Sequence, residues 1–267
     1  MMKILFIGDI VGRIGRETVR EYLPLLKKKY KPQLTIANGE NAAGGKGITE
    51  SNYKELLQSG IDIITMGNHT WDNRDIFEFI DGQDKIIRPA NYPDNEVTPG
   101  KGITYVQVND KELAVINLHG RALMRDLDSP FKIGEEIVSK AKKRTNHIFI
   151  DFHAETTSEK EAMGWYFDGQ VSTIVGTHTH VQTNDHRVLP NGTAYVSDVG
   201  MTGFYDGILG MNKESILENF LTQMPVRIQP PENGRSRLNG ALVTLKDSGK
   251  ARSIEMIRID DDHPFLD

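Results

Sequence analysis

The sequence predicts an α/β fold: one layered domain over residues 1–267, with helices covering sheets of mixed strand direction. Three observations carry this expectation. Short apolar runs alternate with amphipathic stretches as far as Ile80, the pattern of a buried, mostly parallel sheet under helices. A hairpin signal at Asn109-Asp110 and paired runs near the C-terminus add antiparallel strands. The chain is also long enough to bury a sizeable core at 38% hydrophobic content.

The elements follow in order. Lys3 to Ile7 is a short apolar run ending at Gly8, as in a buried strand. Gly15 to Tyr30 has helical periodicity, with Val19, Tyr22, Leu23 and Leu26 apolar between charged residues. Leu34 to Ala37 reads as a strand, Glu50 to Gln58 as a helix, Ile61 to Met66 as a strand and Asn73 to Ile80 as helical. Ile103 to Val108 and Leu113 to Leu118 form the hairpin. Ile133 to Lys143 is helical, His147 to Phe152 a strand, Glu159 to Phe167 a helix and Ser172 to Val175 a strand. Tyr195-Val196, Ala241 to Leu245 and Ser253 to Ile259 are further strands, the last two joined by a turn at Asp247 to Lys250. Pro225 to Arg237 is expected as a surface loop.

Bulk properties exclude several functions. A net charge of −5 and a pI near 5.9 argue against the basic face that duplex nucleic acid requires. The basic runs Lys27 to Lys29 and Lys140 to Arg144 fall in helical patterns and read as solvated faces. With no cysteine, disulfides, thiolate metal sites and cysteine nucleophiles are excluded together. The apolar run Ile4 to Ile7 is too short for a signal peptide or a membrane helix, so a cytoplasmic protein with no membrane partner is expected.

The informative polar residues sit at the carboxyl ends of the apolar runs. These are Gly8-Asp9, Asn38-Gly39-Glu40-Asn41, Gly67-Asn68-His69, Asp151-Phe152-His153 and Gly176-Thr177-His178-Thr179-His180. Ligands of open α/β sheets bind outside the carboxyl ends of strands. Carboxylates, amides and imidazoles gathered there suit metal ions that take nitrogen and oxygen ligands. Alone, Asp9 reads as a turn residue, Glu40 as a surface carboxylate and His153 as a structural histidine. His178-x-His180 is stronger, since residues two apart in an extended segment face one side. His119, His147 and His263 are read as structural, and His186 has at most a supporting role. Gly8, Gly12 and Gly15 mimic a dinucleotide fingerprint, but the spacing differs and Asp9 would oppose a pyrophosphate.

These residues resemble the calcineurin-like metallophosphoesterase superfamily, and within it the bacterial YmdB-type branch. The general pattern has Asp-x-His and a bridging aspartate. Here Asp9-Ile10-Val11 lacks the histidine, and Glu40-Asn41 replaces the aspartate. Gly8-Asp9-Ile10-Val11-Gly12, Glu40 to Gly47, Gly67 to Trp71, Asp151 to Glu155, Gly176 to Thr183 and Asp198 to Gly203 carry the likeness to the branch. The resemblance implies a four-layer sandwich of two mixed β-sheets flanked by helices. It also implies two metal ions, iron or manganese foremost and zinc or magnesium as alternatives. One ion would be held by Asp9, Glu40, His180 and Asn41, the other by Glu40, Asn68, His153 and His178.

His69 would stay off the metals as general acid, while a hydroxide activated by the metal pair attacks phosphorus. Hydrolysis of cyclic nucleotides, 2′,3′-cyclic ones above all, is the implied activity, in a chain that the family suggests forms homo-oligomers. The competing expectations are a phosphomonoesterase, a nuclease for short oligonucleotides and a non-catalytic nucleotide-sensing regulator. A cyclic amidohydrolase fits less well, because the His-x-His pair comes late.

Overall fold

A computed structural model describes residues 1–93 and 98–266. The N-terminal half runs β1 (Met2–Ile7), β2 (Asp9–Ile10), α1 (Gly12–Tyr30), β3 (Leu34–Asn38), α2 (Glu50–Gln58), β4 (Ile63–Thr65) and β5 (Ile86–Ile87). Helix α1 buries Val19, Leu23 and Leu26 and ends where Lys31 turns left-handed and donates its N–H to the Lys27 carbonyl. Its three terminal lysines lie at the negative end of the helix dipole. Helix α2 starts at Thr49, whose hydroxyl accepts from the Asn52 amide at 3.1 Å. The expected helix from Asn73 is instead two short 3-10 segments, Arg74–Glu78 and Ile80–Gly82. Their backbone bonds skip three residues, as in Phe79 N to Ile76 O, so Ile76 and Phe79 stack on one side.

The chain continues through β6 (Ile103–Val108), β7 (Lys111–His119), α3 (Pro130–Ala141), β8 (His147–His153), α4 (Thr157–Tyr166), β9 (Thr173–Thr177), β10 (Arg187–Val188) and β11 (Ala194–Val196). Then come β12 (Met201–Phe204), α5 (Lys213–Thr222), β13 (Ser236–Leu245) and β14 (Ala251–Ile259). The expected loop to Arg237 is therefore two residues shorter, because Ser236 and Arg237 already pair with β12.

Two mixed sheets result. The first has the order β2-β12-β13-β1-β3-β4-β5, with β14 also paired to β13. Its β1, β3, β4 and β5 are parallel, and β13 is antiparallel to β1. The second has the order β10-β11-β9-β8-β7-β6, parallel inside and antiparallel at both edges. Strand alternation then sorts the core into three apolar layers. Leu5 and Ile7 pack with Val19, Leu23 and Leu56 under α1 and α2. Ile4 and Phe6 face the other sheet, where Phe6 stacks on Phe149 at 5.5 Å. Ile148, Ile150 and Phe152 meet Val138 and Met163 of α3 and α4. Helix, sheet, sheet, helix is the four-layer order. Among the described residues no helix is long and apolar enough to cross a membrane.

Candidate metal centre

The parallel strands of both sheets deliver their carboxyl ends to one edge. There β1 gives way to Asp9, β3 to Glu40 and Asn41, and β4 to Asn68 and His69, while β8 ends in His153 and β9 leads into His178 and His180. Asp9, Glu40, Asn41 and His153 are buried, whereas Asn68, His69, His178 and His180 are half-buried.

His153 is the hub. Its Nε2 lies 2.8 Å from Asn68 Oδ1, 3.0 Å from Glu40 Oε1 and 3.1 Å from His178 Nδ1. The hydrogen bonds behind these atoms fix their proton state. Thr177 Oγ1 donates to Asp151 Oδ1 at 2.7 Å, so His153 Nδ1–H donates to Thr177 at 2.9 Å. His178 Nε2–H donates to Glu155 Oε2 at 2.9 Å. When His153 is neutral, both imidazoles thus turn a bare nitrogen lone pair toward two side-chain oxygens. Four acceptors without a proton among them repel unless a cation joins them. Their spacing is that of neighbouring ligands around an ion with bonds of about 2.0–2.2 Å.

The ionisation pattern agrees. Burial disfavours a charged His153, yet Glu40, Asp9 and Asp151 outweigh it and raise the imidazole to about 9. Burial and His153 press His178 down to about 3. Burial opposes the Glu40 carboxylate too, but His153 and His69 hold its pKa well below the usual range. Without a metal, a proton on His153 supplies the positive charge this cluster requires.

A second group adjoins the same Glu40 oxygen. Asn41 Nδ2 is 3.1 Å from Glu40 Oε1 and 3.3 Å from His180 Nε2. His180 Nδ1–H donates to the Leu209 carbonyl at 2.9 Å, leaving Nε2 as its acceptor. Asp9 completes this side. Its Oδ2 accepts from the His178 amide at 3.3 Å, while its buried Oδ1 has no hydrogen-bond partner. An orphaned carboxylate oxygen costs stability unless a ligand takes it up.

The family described as "YmdB-like protein" matches residues 5–257. The chain belongs to the YmdB-like family. It is 60% identical over its full length, and over the full length of its relative, to a protein of Bacillus subtilis named 2′,3′-cyclic-nucleotide 2′-phosphodiesterase. A phosphatase structure from Mycoplasma pneumoniae superposes with a TM-score of 0.91 at 34% identity, over 97% of this chain and 93% of that one. A putative 5′-nucleotidase from Staphylococcus aureus shares only the fold, with a TM-score of 0.63 at 14% identity over 98% of this chain and 56% of its own. The YmdB-like chain therefore has the calcineurin-like metallophosphoesterase fold and is an enzyme of the phosphoesterase class.

In this YmdB-like chain the histidine pair is not extended. Strand β9 stops at Thr177, and His178 and His180 both have positive φ, 100° and 64°. The reversals send His178 toward His153 and His180 toward Asn41. Asp198 holds the turn between them, its Oδ2 accepting from Thr179 N at 3.0 Å and Thr179 Oγ1 at 2.8 Å. Lys160, itself buried, donates to the same oxygen at 2.7 Å.

His69 stands apart from the four converging acceptors. Its amide donates to Glu40 Oε2 at 2.9 Å, and its Nδ1 pairs with Asp72 Oδ2 at 2.8 Å. The ring lines a cavity of about 500 Å³ shared with Asn68 and His178.

Several supporting residues lie outside the sequence expectation. Asp72 follows its partner His69 within one turn, which is the local cue to it, whereas Glu155 stands a helix and a strand before its partner His178 and was visible only as part of a motif. Asp151 was visible only as part of a motif, and it accepts from Thr177, Thr65 and Asn38. His119 is buried opposite His153 in the β7–β8 register, with ring centroids 6.2 Å apart. Burial, then His153, lower its pKa to about 4, so it backs the site as a neutral ring. His147 and His263 bond elsewhere, to Lys246 O and Asp260.

Proposed function

We propose that this chain is a metal-dependent phosphodiesterase acting on cyclic nucleotides, 2′,3′-cyclic ones foremost. The carrying observation is the convergence of His153 Nε2, His178 Nδ1, Glu40 Oε1 and Asn68 Oδ1, four atoms that can each offer a lone pair to one ion. The activity for which the Bacillus subtilis relative is named, at 60% identity, supports the substrate class. In this reading one ion takes Glu40, Asn68, His153 and His178. The other takes Asp9, Glu40, His180 and Asn41, whose amide presents its oxygen after a half turn. Glu40 would belong to both sets, since a carboxylate offers two anionic oxygens. The family resemblance implies iron or manganese, with zinc or magnesium as alternatives, and this set offers the nitrogen and oxygen ligands that such ions take. When bound, such a pair neutralises charge on the phosphoryl oxygens and acidifies water.

The chain's own groups do the rest. Asp72 steadies a protonated His69 through Nδ1, which leaves Nε2–H to donate its proton to the departing ribose oxygen. The hydroxyl group lost from water ends on phosphorus, and the proton ends on the sugar. Glu155 and Thr177 keep His178 and His153 in the tautomers that present lone pairs. Asp198 holds the turn that separates His178 from His180.

Replacing His69 by Ala is expected to leave metal content unchanged and lower turnover about 10²–10⁴-fold. Loss of metal in that variant would remove His69 from this role, and full activity in a metal-stripped preparation would overturn the whole reading. A phosphomonoesterase is the competing reading, favoured by the likeness to the Mycoplasma pneumoniae phosphatase. Turnover of a chromogenic phosphodiester against its matching monoester decides between them.

A further inference from the structure

The cavity beside His69 has a second wall that phosphate chemistry leaves unexplained. Trp71 stacks on Phe77 with centroids 5.2 Å apart and a 17° tilt, and meets Tyr92 edge-on at 5.6 Å. Leu123, Met124 and Arg125 line the same cavity. Leu123 is 88% exposed and left-handed, with φ of 60°. A large apolar side chain in water on a backbone that suits glycine is doubly unfavourable, and such strain gathers at functional sites.

The loop carrying it is braced. The amides of Arg121 and Ala122 donate to the Glu159 carboxylate at 3.0–3.1 Å, and the Asp128 amide donates to Asn91 O at 3.1 Å. Arg125 makes no ion pair with a carboxylate among the described residues. The fold thus holds an unpaired apolar tip in the same cavity as an indole and the proposed proton donor.

We infer that Trp71, Leu123 and Met124 form the subsite for the nucleobase, gripping it by its faces while the ribose phosphate reaches His69. This inference rests on the cyclic-nucleotide reading above and deepens it. Indole, leucine and methionine surfaces offer no donor–acceptor pattern to a base edge, so the subsite accepts any base and favours the larger rings. The guanidinium plane of Arg125 adds a cation–π face at the rim. A cavity of about 500 Å³ falls in the range of small-ligand sites.

The test uses the metal-loaded full chain with Trp165 replaced by Phe, so that Trp71 is the sole tryptophan. Adenosine and cytidine 2′,3′-cyclic phosphates are compared with methyl riboside 2′,3′-cyclic phosphate, which has no base. Both nucleotides are expected to quench Trp71 fluorescence and the methyl riboside is not. Their kcat/KM should exceed that of the methyl riboside by about 10- to 100-fold. Leu123→Gly removes the apolar tip and suits the left-handed backbone, and it should shrink that ratio about tenfold. Turnover of all three compounds at equal kcat/KM overturns the subsite and leaves the phosphodiesterase reading intact. Base-dependent quenching without turnover of any of them does the reverse.

Discussion

Gly67 offers the sharpest probe of the centre, because the space beside its Cα is the site itself. A Cβ there would lie 2.4 Å from Glu40 Oε2 and 2.4 Å from Nε2 and Cδ2 of His153. The residue's φ is not in the left-handed region, so Gly67→Ala meets no backbone penalty and tests the collision alone. Even a tight 3.0 Å contact demands that both side chains retreat by at least about 0.6 Å, whereas metal ligands hold their distances to about 0.2 Å.

Two consequences follow from that displacement. Overpacking should cost about 1–3 kcal/mol, or roughly 2–12 °C in Tm. Misplacing both ligands should weaken metal retention and lower kcat/KM about 10²-fold or more. Elemental analysis, thermal unfolding and turnover of a chromogenic phosphodiester measure the three effects. Gly82→Ala is the control: a Cβ there meets nothing within 4 Å, and a change within about 0.5 kcal/mol is expected. If Gly67→Ala kept the metal content and activity of the unchanged chain, Glu40 and His153 could not be joint ligands of one ion.

Two further changes test what supports the centre, and a third tests a buried carboxylate at the end of β14. Lys160→Met leaves the Asp198 carboxylate buried without its cation and should cost about 3–5 kcal/mol in urea unfolding, loosening the His178 turn as well; a loss under about 1 kcal/mol would show that the pair is dispensable. Glu155→Gln weakens the acceptor for His178 Nε2–H and should reduce metal affinity about 10–100-fold in a competition titration, with the metal-free Tm unmoved; unchanged affinity would free Glu155 of that role. Asp260 is buried, and burial alone would raise its pKa, but hydrogen bonds from Arg258, His263 and Arg237 hold it well below the usual range. Its folded pKa lies below the unfolded one, so its contribution is complete above about pH 4 and is lost as pH falls through the folded value. Asp260→Asn should therefore be about 1–3 kcal/mol less stable at neutral pH, with the gap closing only in acid; a gap that widens in acid would refute the assignment.

The fold was legible wherever burial is two-sided. Strands β1, β3 and β8 lie between apolar layers on both faces, so their sequences are nearly continuous apolar runs with plain ends. Helix α5 was not legible, since Ile216 is its only buried hydrophobic residue and its spacing announces no core face. Register was beyond reach as well. His119 stands beside His153 because β7 and β8 pair residue for residue, a relation written in neither strand alone. The two-residue strand β2 pairs with β12, far along the chain, and nothing near Asp9 signals that partner.

The site divides along the same physical line. That its polar side chains gather was legible because strand ends restrict where such residues meet. Their aim was not. An extended His178-x-His180 would have pointed both rings one way, at one ion. Two left-handed histidines, held by Asp198 and Lys160 from distant segments, separate the rings so that His178 meets His153 and His180 meets Asn41. Left-handed backbone at histidine is costly, and an Asp9 oxygen without a partner is costly again. Core packing alone favours neither. Both are accounted for if the centre is shaped for cations that repay the strain on binding, and a protein selected for stability alone would have relieved them.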